Sequence, residues 1–84
     1  MDGKHRKTLS AIFQRSEQTN IPWREIEALF VHLGAEITEG NGSRVRVALK
    51  GVRAVFHRPH SGREANKGTV KSVRRFLEVA GVKP

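Results

Sequence analysis

Apolar residues recur along this chain with two different periods, and the change from one to the other divides it into elements. Leu9, Ile12 and Phe13 follow an i, i+3, i+4 spacing, which predicts a short helix of about two turns ending near Arg15. The polar and basic residues before it are expected to fray, and Ser16–Asn20 reads as a linker. So short a helix is not stable alone in water, so it must dock on the core or on a partner. Pro22 opens a second helix, where its missing N–H costs nothing. Ile26, Leu29, Phe30 and Leu33 form its apolar stripe, Glu25 and Glu27 suit its early turns, and Gly34 stops it. Trp23 is assigned to the core. His32 lies off the stripe, exposed near the helix C-terminus.

The period then shortens to two. Ala35–Glu39 is a first short strand, and Gly40-Asn41-Gly42 is a turn. From Arg44 to Leu49 the alternation is strict, with Val45, Val47 and Leu49 on one side and Arg44, Arg46 and Ala48 on the other. Lys50-Gly51 is a two-residue hairpin loop in which Gly51 supplies a positive φ. That loop length sets the register by counting: Leu49 opposes Val52, Val47 opposes Ala54, Val45 opposes Phe56, and Arg44 opposes His57. One face of the hairpin is therefore apolar. The other carries Arg44, Arg46, Arg53 and His57.

Arg58–Lys67 is polar and holds Pro59 and Gly62, so it reads as a loop. Gly68-Thr69 begins the last helix, with Thr69 as its N-cap. Val70, Val73, Phe76, Leu77 and Ala80 are its buried face, Lys71, Arg74 and Arg75 point away, and Gly81 ends it. The order helix, helix, strand, strand, strand, helix predicts an α+β fold, a three-stranded antiparallel sheet with helices on one face. Its α-β-β-β-α core is the layout of double-stranded-RNA-binding domains. Residues 1–20 are a helical extension to a domain spanning 21–84.

Length and charge narrow the function. At 84 residues this is one small domain, burying only roughly 60–65% of its unfolded surface. The chain has no cysteine, which removes disulfides and thiolate zinc sites, and no two histidines stand at a metal-binding helical spacing. No apolar run reaches the roughly 18 residues of a membrane span, and no secretory signal opens the chain, so a cytoplasmic location is expected. The net charge is +8. Residues 1–43 hold five Lys/Arg and six Asp/Glu, against eleven and two in residues 44–84. A polyanion bound by the C-terminal half is the natural partner. Few aromatics are available for base stacking, so contact is expected to be mainly to phosphate and sugar.

Three pieces in order carry a resemblance to a known family. They are Leu33-Gly34-Ala35; Gly42-Ser43; and Pro59-His60 through Gly68-Thr69-Val70, followed by Val73, Ala80 and Gly81. From Ile26 to Gly81, about two-thirds of the chain, the sequence resembles the HicA toxins of bacterial toxin–antitoxin pairs. The resemblance implies a double-stranded-RNA-binding-domain-like fold, mRNA-cleaving ribonuclease activity without a metal or other cofactor, and a HicB-like antitoxin as protein partner. His60 aligns with a family histidine, with Pro59 adjacent rather than two residues before. The chain departs from the pattern at Arg44, where the Gly-Ser step usually leads to the family's catalytic histidine.

Cleaving RNA without a metal requires a base for the 2′-OH proton, cations for the charge on phosphorus and an acid for the leaving 5′-oxygen. Histidine suits both proton roles, and arginine suits the phosphate. Arginine is no base, because it stays protonated. His57 or His60 is therefore expected to supply what Arg44 does not. Arg44, Arg46, Arg53, Arg58, Lys67, Lys71, Arg74 and Arg75 are the expected RNA contacts. The competing reading is a binding module, an RNA-binding domain or inactive toxin homologue, since binding needs only the basic face. DNA binding ranks below both, for want of a helix-turn-helix pair.

Overall fold

In the computed structural model of the chain, the structure describes residues 2–14, 21–59 and 63–84. Helices α1 (Gly3–Ile12) and α2 (Trp23–His32) come first. Strands β1 (Glu36–Glu39), β2 (Arg44–Leu49) and β3 (Val52–His57) follow, and helix α3 (Lys67–Val79) closes the order. The strands form one antiparallel sheet in the order β1-β2-β3. Its inner face is covered by helices, with α2 against β1 and α3 against β3, and α1 packs on both helices. This is the α+β arrangement expected. The linker Ser16–Asn20 lies outside the described residues.

The sheet register is the one counted from the hairpin loop. Arg44 pairs with His57, Val45 with Phe56, Arg46 with Val55, Val47 with Ala54, Ala48 with Arg53, and Leu49 with Val52. Lys50 (φ 50°) and Gly51 (φ 82°) both occupy the left-handed region, as a type I′ turn requires. Gly40 fills the tighter corner between β1 and β2. Its N–H donates to the Arg44 carbonyl at 3.0 Å, and a Cβ there would stand 3.1 Å from that of Arg44. Only glycine fits without a shift.

Four aromatic rings centre the core, drawn from three elements. Phe30 of α2 stacks on Phe56 of β3 with centroids 5.7 Å apart, and Phe76 of α3 meets both edge-on at 5.6 and 5.7 Å. Trp23 completes the group at 5.9 Å from Phe56. Around them lie Ile26, Leu29, Val45, Val47, Val70, Val73 and Leu77, all buried. Leu9 and Ile12 of α1 are buried in the same cluster. The short first helix thus docks on the core rather than standing off it. With four of the five aromatic rings of the chain inside, little is left for stacking on bases.

Two helix starts differ from expectation. From Asp2 onward the start is ordered: Asp2 caps α1, its Oδ1 accepting from the His5 N–H at 2.9 Å, and the His5 ring stacks on His32 of α2 at 4.5 Å. The cap of α3 is Asn66, not Thr69. Asn66 Oδ1 accepts the Thr69 N–H at 2.8 Å, which makes Thr69 the donor that a cap satisfies. No helix among the described residues is long and apolar enough to cross a membrane.

Candidate functional site

The parity of the hairpin decides which side chains meet. The Arg58 N–H donates to the Ser43 carbonyl at 2.9 Å, so Ser43 and Arg58 are a hydrogen-bonded pair of the ladder. Bonded pairs alternate with open ones in antiparallel strands. Arg44–His57, Arg46–Val55 and Ala48–Arg53 are therefore the open pairs. The Arg44 backbone agrees, since its N–H and C=O bond to Asn41 and Gly40 rather than to β3. Open pairs bring Cα atoms to about 4.5 Å, closer than bonded ones. Every cross-strand pair on the solvent side of this hairpin is of the closer kind, and Arg44 stands directly beside His57.

Those side chains are free to act. Arg44, Arg46, Arg53 and His57 are all exposed on the sheet face that no helix covers. A shallow trough of about 560 Å³ crosses it, bordered by Glu36, Thr38, Arg46, Ala48, Arg53 and Val55. Outside the trough, Ser43 Oγ lies 3.4 Å from His57 Nδ1. Ser43 was not singled out by the charge pattern, although the Gly42-Ser43 step marked its position.

Arg58 turns the other way. One residue past His57, the alternation carries its guanidinium to the helical side. Its Nε and Nη2 donate to the two Glu27 carboxylate oxygens of α2 at 2.6 and 3.2 Å. Its Nη1 and Nη2 also reach the two oxygens of Glu39 on β1 at 2.6 and 2.8 Å. Trp23 Nε1 donates to the same Glu27 at 2.5 Å. The hydrogen bonds to Glu39 and then Glu27 raise the Arg58 pKa further above its already high value. The Arg58 bond in turn holds the Glu39 carboxyl below the usual range. Arg58 is thus a clasp joining β3, α2 and β1, away from the corner of His57 and Arg44. Glu27 and Glu39 were not singled out by sequence. Extending the β3 alternation by one residue would have put Arg58 on the apolar side, among possible partners.

The other expected contacts fall on α3, whose outer face points away from the sheet. Lys67, Lys71 and Arg75 are exposed there. A groove of about 570 Å³ runs along the same face, lined by Phe13, Gly68, Lys71, Ser72, Arg74 and Arg75. Arg74 is half-buried and donates to the Ile12 and Gln14 carbonyls at 2.8 Å each. Ile12 carries one of the end-of-helix carbonyls of α1, which lack intrahelical donors, and Gln14 lies just past the helix. Arg74 secures α1. The basic residues therefore occupy two surfaces on opposite sides of the molecule, not one continuous face. His60 lies outside the described residues. Among the described residues, no three histidine or carboxylate side chains are grouped to hold a metal ion.

A family model described as HicA toxin of bacterial toxin-antitoxin matches residues 23–82, which runs from the first residue of α2 to just past α3. No curated protein and no solved structure matches the chain.

Proposed function

The chain belongs to the HicA toxin family of bacterial toxin–antitoxin pairs, and from that premise we propose that it is the toxin of such a pair, a cytoplasmic endoribonuclease that cleaves mRNA and is neutralised by a HicB-like antitoxin. The observation that carries the catalytic part is the close pair of His57 and Arg44, with Ser43 Oγ at His57 Nδ1. In the tautomer with the proton on Nδ1, toward Ser43, Nε2 carries the lone pair that acts as base. It takes the proton of a ribose 2′-OH. That oxygen attacks the adjacent phosphorus, and the bond to the 5′-oxygen breaks. The products are a 2′,3′-cyclic phosphate and a 5′-hydroxyl. Arg44 and Arg46 bind the non-bridging oxygens, where charge accumulates. His60, by its alignment with a family histidine, is the donor to the leaving oxygen. Arg53 extends the phosphate contacts along the face.

Expression without the antitoxin should arrest growth and fragment mRNA, and coexpression should restore both. Intact transcripts would remove the ribonuclease reading. In purified protein, His57→Ala should slow cleavage by roughly 10²–10⁴-fold, the usual worth of a positioned general base. Unchanged cleavage in that variant would reassign the base. Arg44 at the family's histidine position favours a second reading, an RNA-binding homologue without activity. Tight, salt-sensitive RNA binding by a protein that leaves RNA intact is its signature.

A further inference from the structure

The ladder parity that places His57 beside Arg44 also determines what β3 offers on its other side. Val52, Ala54 and Phe56 direct their N–H and C=O groups toward β2. Arg53, Val55 and His57 direct theirs outward, and among the described residues no backbone group bonds to them. The strand is six residues long, pairs without a bulge and contains no proline, so of the usual guards of an exposed edge it keeps the basic side chains Arg53 and His57 and has neither a bulge nor a proline. Val55 is 54% exposed at its midpoint. The opposite edge differs. β1 is only four residues long and begins and ends with a carboxylate, Glu36 and Glu39.

We propose that the β3 edge is a strand-addition site for an extended acidic segment of a partner protein. The occupant's chemistry follows from register. Residues of an added antiparallel strand that lie opposite Arg53, Val55 and His57 share the open face with them, at about 5.5 Å between Cα atoms. An acidic, an apolar and an acidic residue at alternate positions match that row. The arginines Arg44 and Arg46 lie on the same face one strand further in; β2 and β3 carry no carboxylate, and Glu36 of β1, two strands from the edge, is the one that borders the same trough. A second copy of this chain is a poorer occupant. Two-fold antiparallel pairing about Val55 would set Arg53 of each chain against His57 of the other, with no carboxylate in the row. An acidic strand seated here also lies beside His57 and Arg53, where it would exclude a phosphate chain. Naming the partner as the antitoxin rests on the reading given under Proposed function. The edge and its chemistry do not.

The test uses the full chain, isotopically labelled, and a synthetic peptide of about ten residues with Glu-x-Val-x-Glu at its centre, long enough for one strand. Without peptide, the amides of Arg53, Val55 and His57 should exchange quickly while those of Ala54 and Phe56 are protected. With peptide, the first three should slow by about tenfold or more, leaving the other two unchanged. Val55→Pro removes one outward N–H without touching the β2 ladder, as edge strands tolerate, and should abolish the protection. Arg53→Glu is the second variant and should weaken peptide binding by about tenfold through like charge. Failure of the peptide to protect these amides overturns the proposal. So does protection that appears without peptide as protein concentration rises, which assigns the edge to self-pairing. The same alternate protection produced by an RNA oligonucleotide overturns it too, in favour of nucleic acid. RNA cleavage by a protein whose edge stays unprotected would retain the toxin reading and discard strand addition. Protection without cleavage would do the reverse.

Discussion

His57 and Arg58 are neighbours in sequence and stand on opposite faces of the sheet, where their side chains meet opposite circumstances. On the helical face, Arg58 is held by two carboxylates from two other elements. On the open face, Arg44, Arg46, Arg53 and His57 are exposed beside one another. The difference teaches that positive charge in this molecule stands in two separate settings. Cations that follow the apolar parity, such as Arg58, join elements together. Arg74 does the same for α1 from its own helix. Cations of the other parity stand exposed on the open face. A single count of basic residues merges the two groups, and backbone alternation separates them.

The largest expected effect comes from crossing that boundary by one residue. Phe56 is buried against three other rings, whereas Val55 beside it is exposed. Phe56→Ala should destabilise the fold by about 3–5 kcal/mol, the usual cost of removing a core aromatic. Val55→Ser should stay within about 0.5 kcal/mol, as an exposed substitution. Urea midpoints of the two variants measure both. Similar losses in both would mean that the two faces are not distinct in energy.

An intermediate effect exchanges stability for binding. Arg58→Met leaves Glu27, half-buried in α2, with the Trp23 N–H as its one side-chain partner among the described residues. That should cost about 1–2 kcal/mol, with no change in the salt dependence of RNA binding. Arg46→Met should do the converse. Its stability should hold within about 0.5 kcal/mol, while the slope of log K against log salt on single-stranded RNA should fall by about 0.7 for the lost phosphate contact. A flatter slope for Arg58→Met would place that side chain at the ligand and break the division between the faces.

How far these features were legible depends on the range over which each is determined. The hairpin register was legible because a two-residue loop and strict alternation leave no freedom, and the buried stripes of α2 and α3 followed from spacing alone. Local competition hid the caps. Asn66 and Thr69 are both good capping residues three apart, and the choice between them turns on where the chain straightens. Asp2 lay in a stretch whose basic residues suggested fraying, yet one carboxylate and a ring contact with His32 suffice to start α1. The Arg58 clasp was out of reach for a different reason. Its partners are 31 and 19 residues away, and only the packing of α2 and β1 brings them together.

The smallest effect concerns acid, and it acts on the helical side through Glu39 and on the helix start through Asp2. Glu39 is held below its ordinary value of 4.5 chiefly by the hydrogen bond from Arg58. Asp2 is held below 3.8 chiefly by the backbone N–H of His5, with the charges of His5 and His32 adding to it. A carboxyl whose folded pKa lies below its unfolded one binds its proton more readily in the unfolded chain. Its contribution is therefore fully present above the unfolded value and is lost as pH falls through the folded one. Glu39→Gln should lower the urea midpoint at neutral pH, and the gap from the parent protein should close as pH falls below about 4.5. Asp2→Asn keeps a capping oxygen but no charge, so its gap should close over a slightly lower range. Both carboxylates are exposed, so salt should shrink both gaps at neutral pH. A Glu39→Gln gap that persisted unchanged into acid would mean that Glu39 contributes by its shape and neutral hydrogen bonding. The clasp would then hold α2, β1 and β3 together without relying on the charge that distinguishes it from the open face.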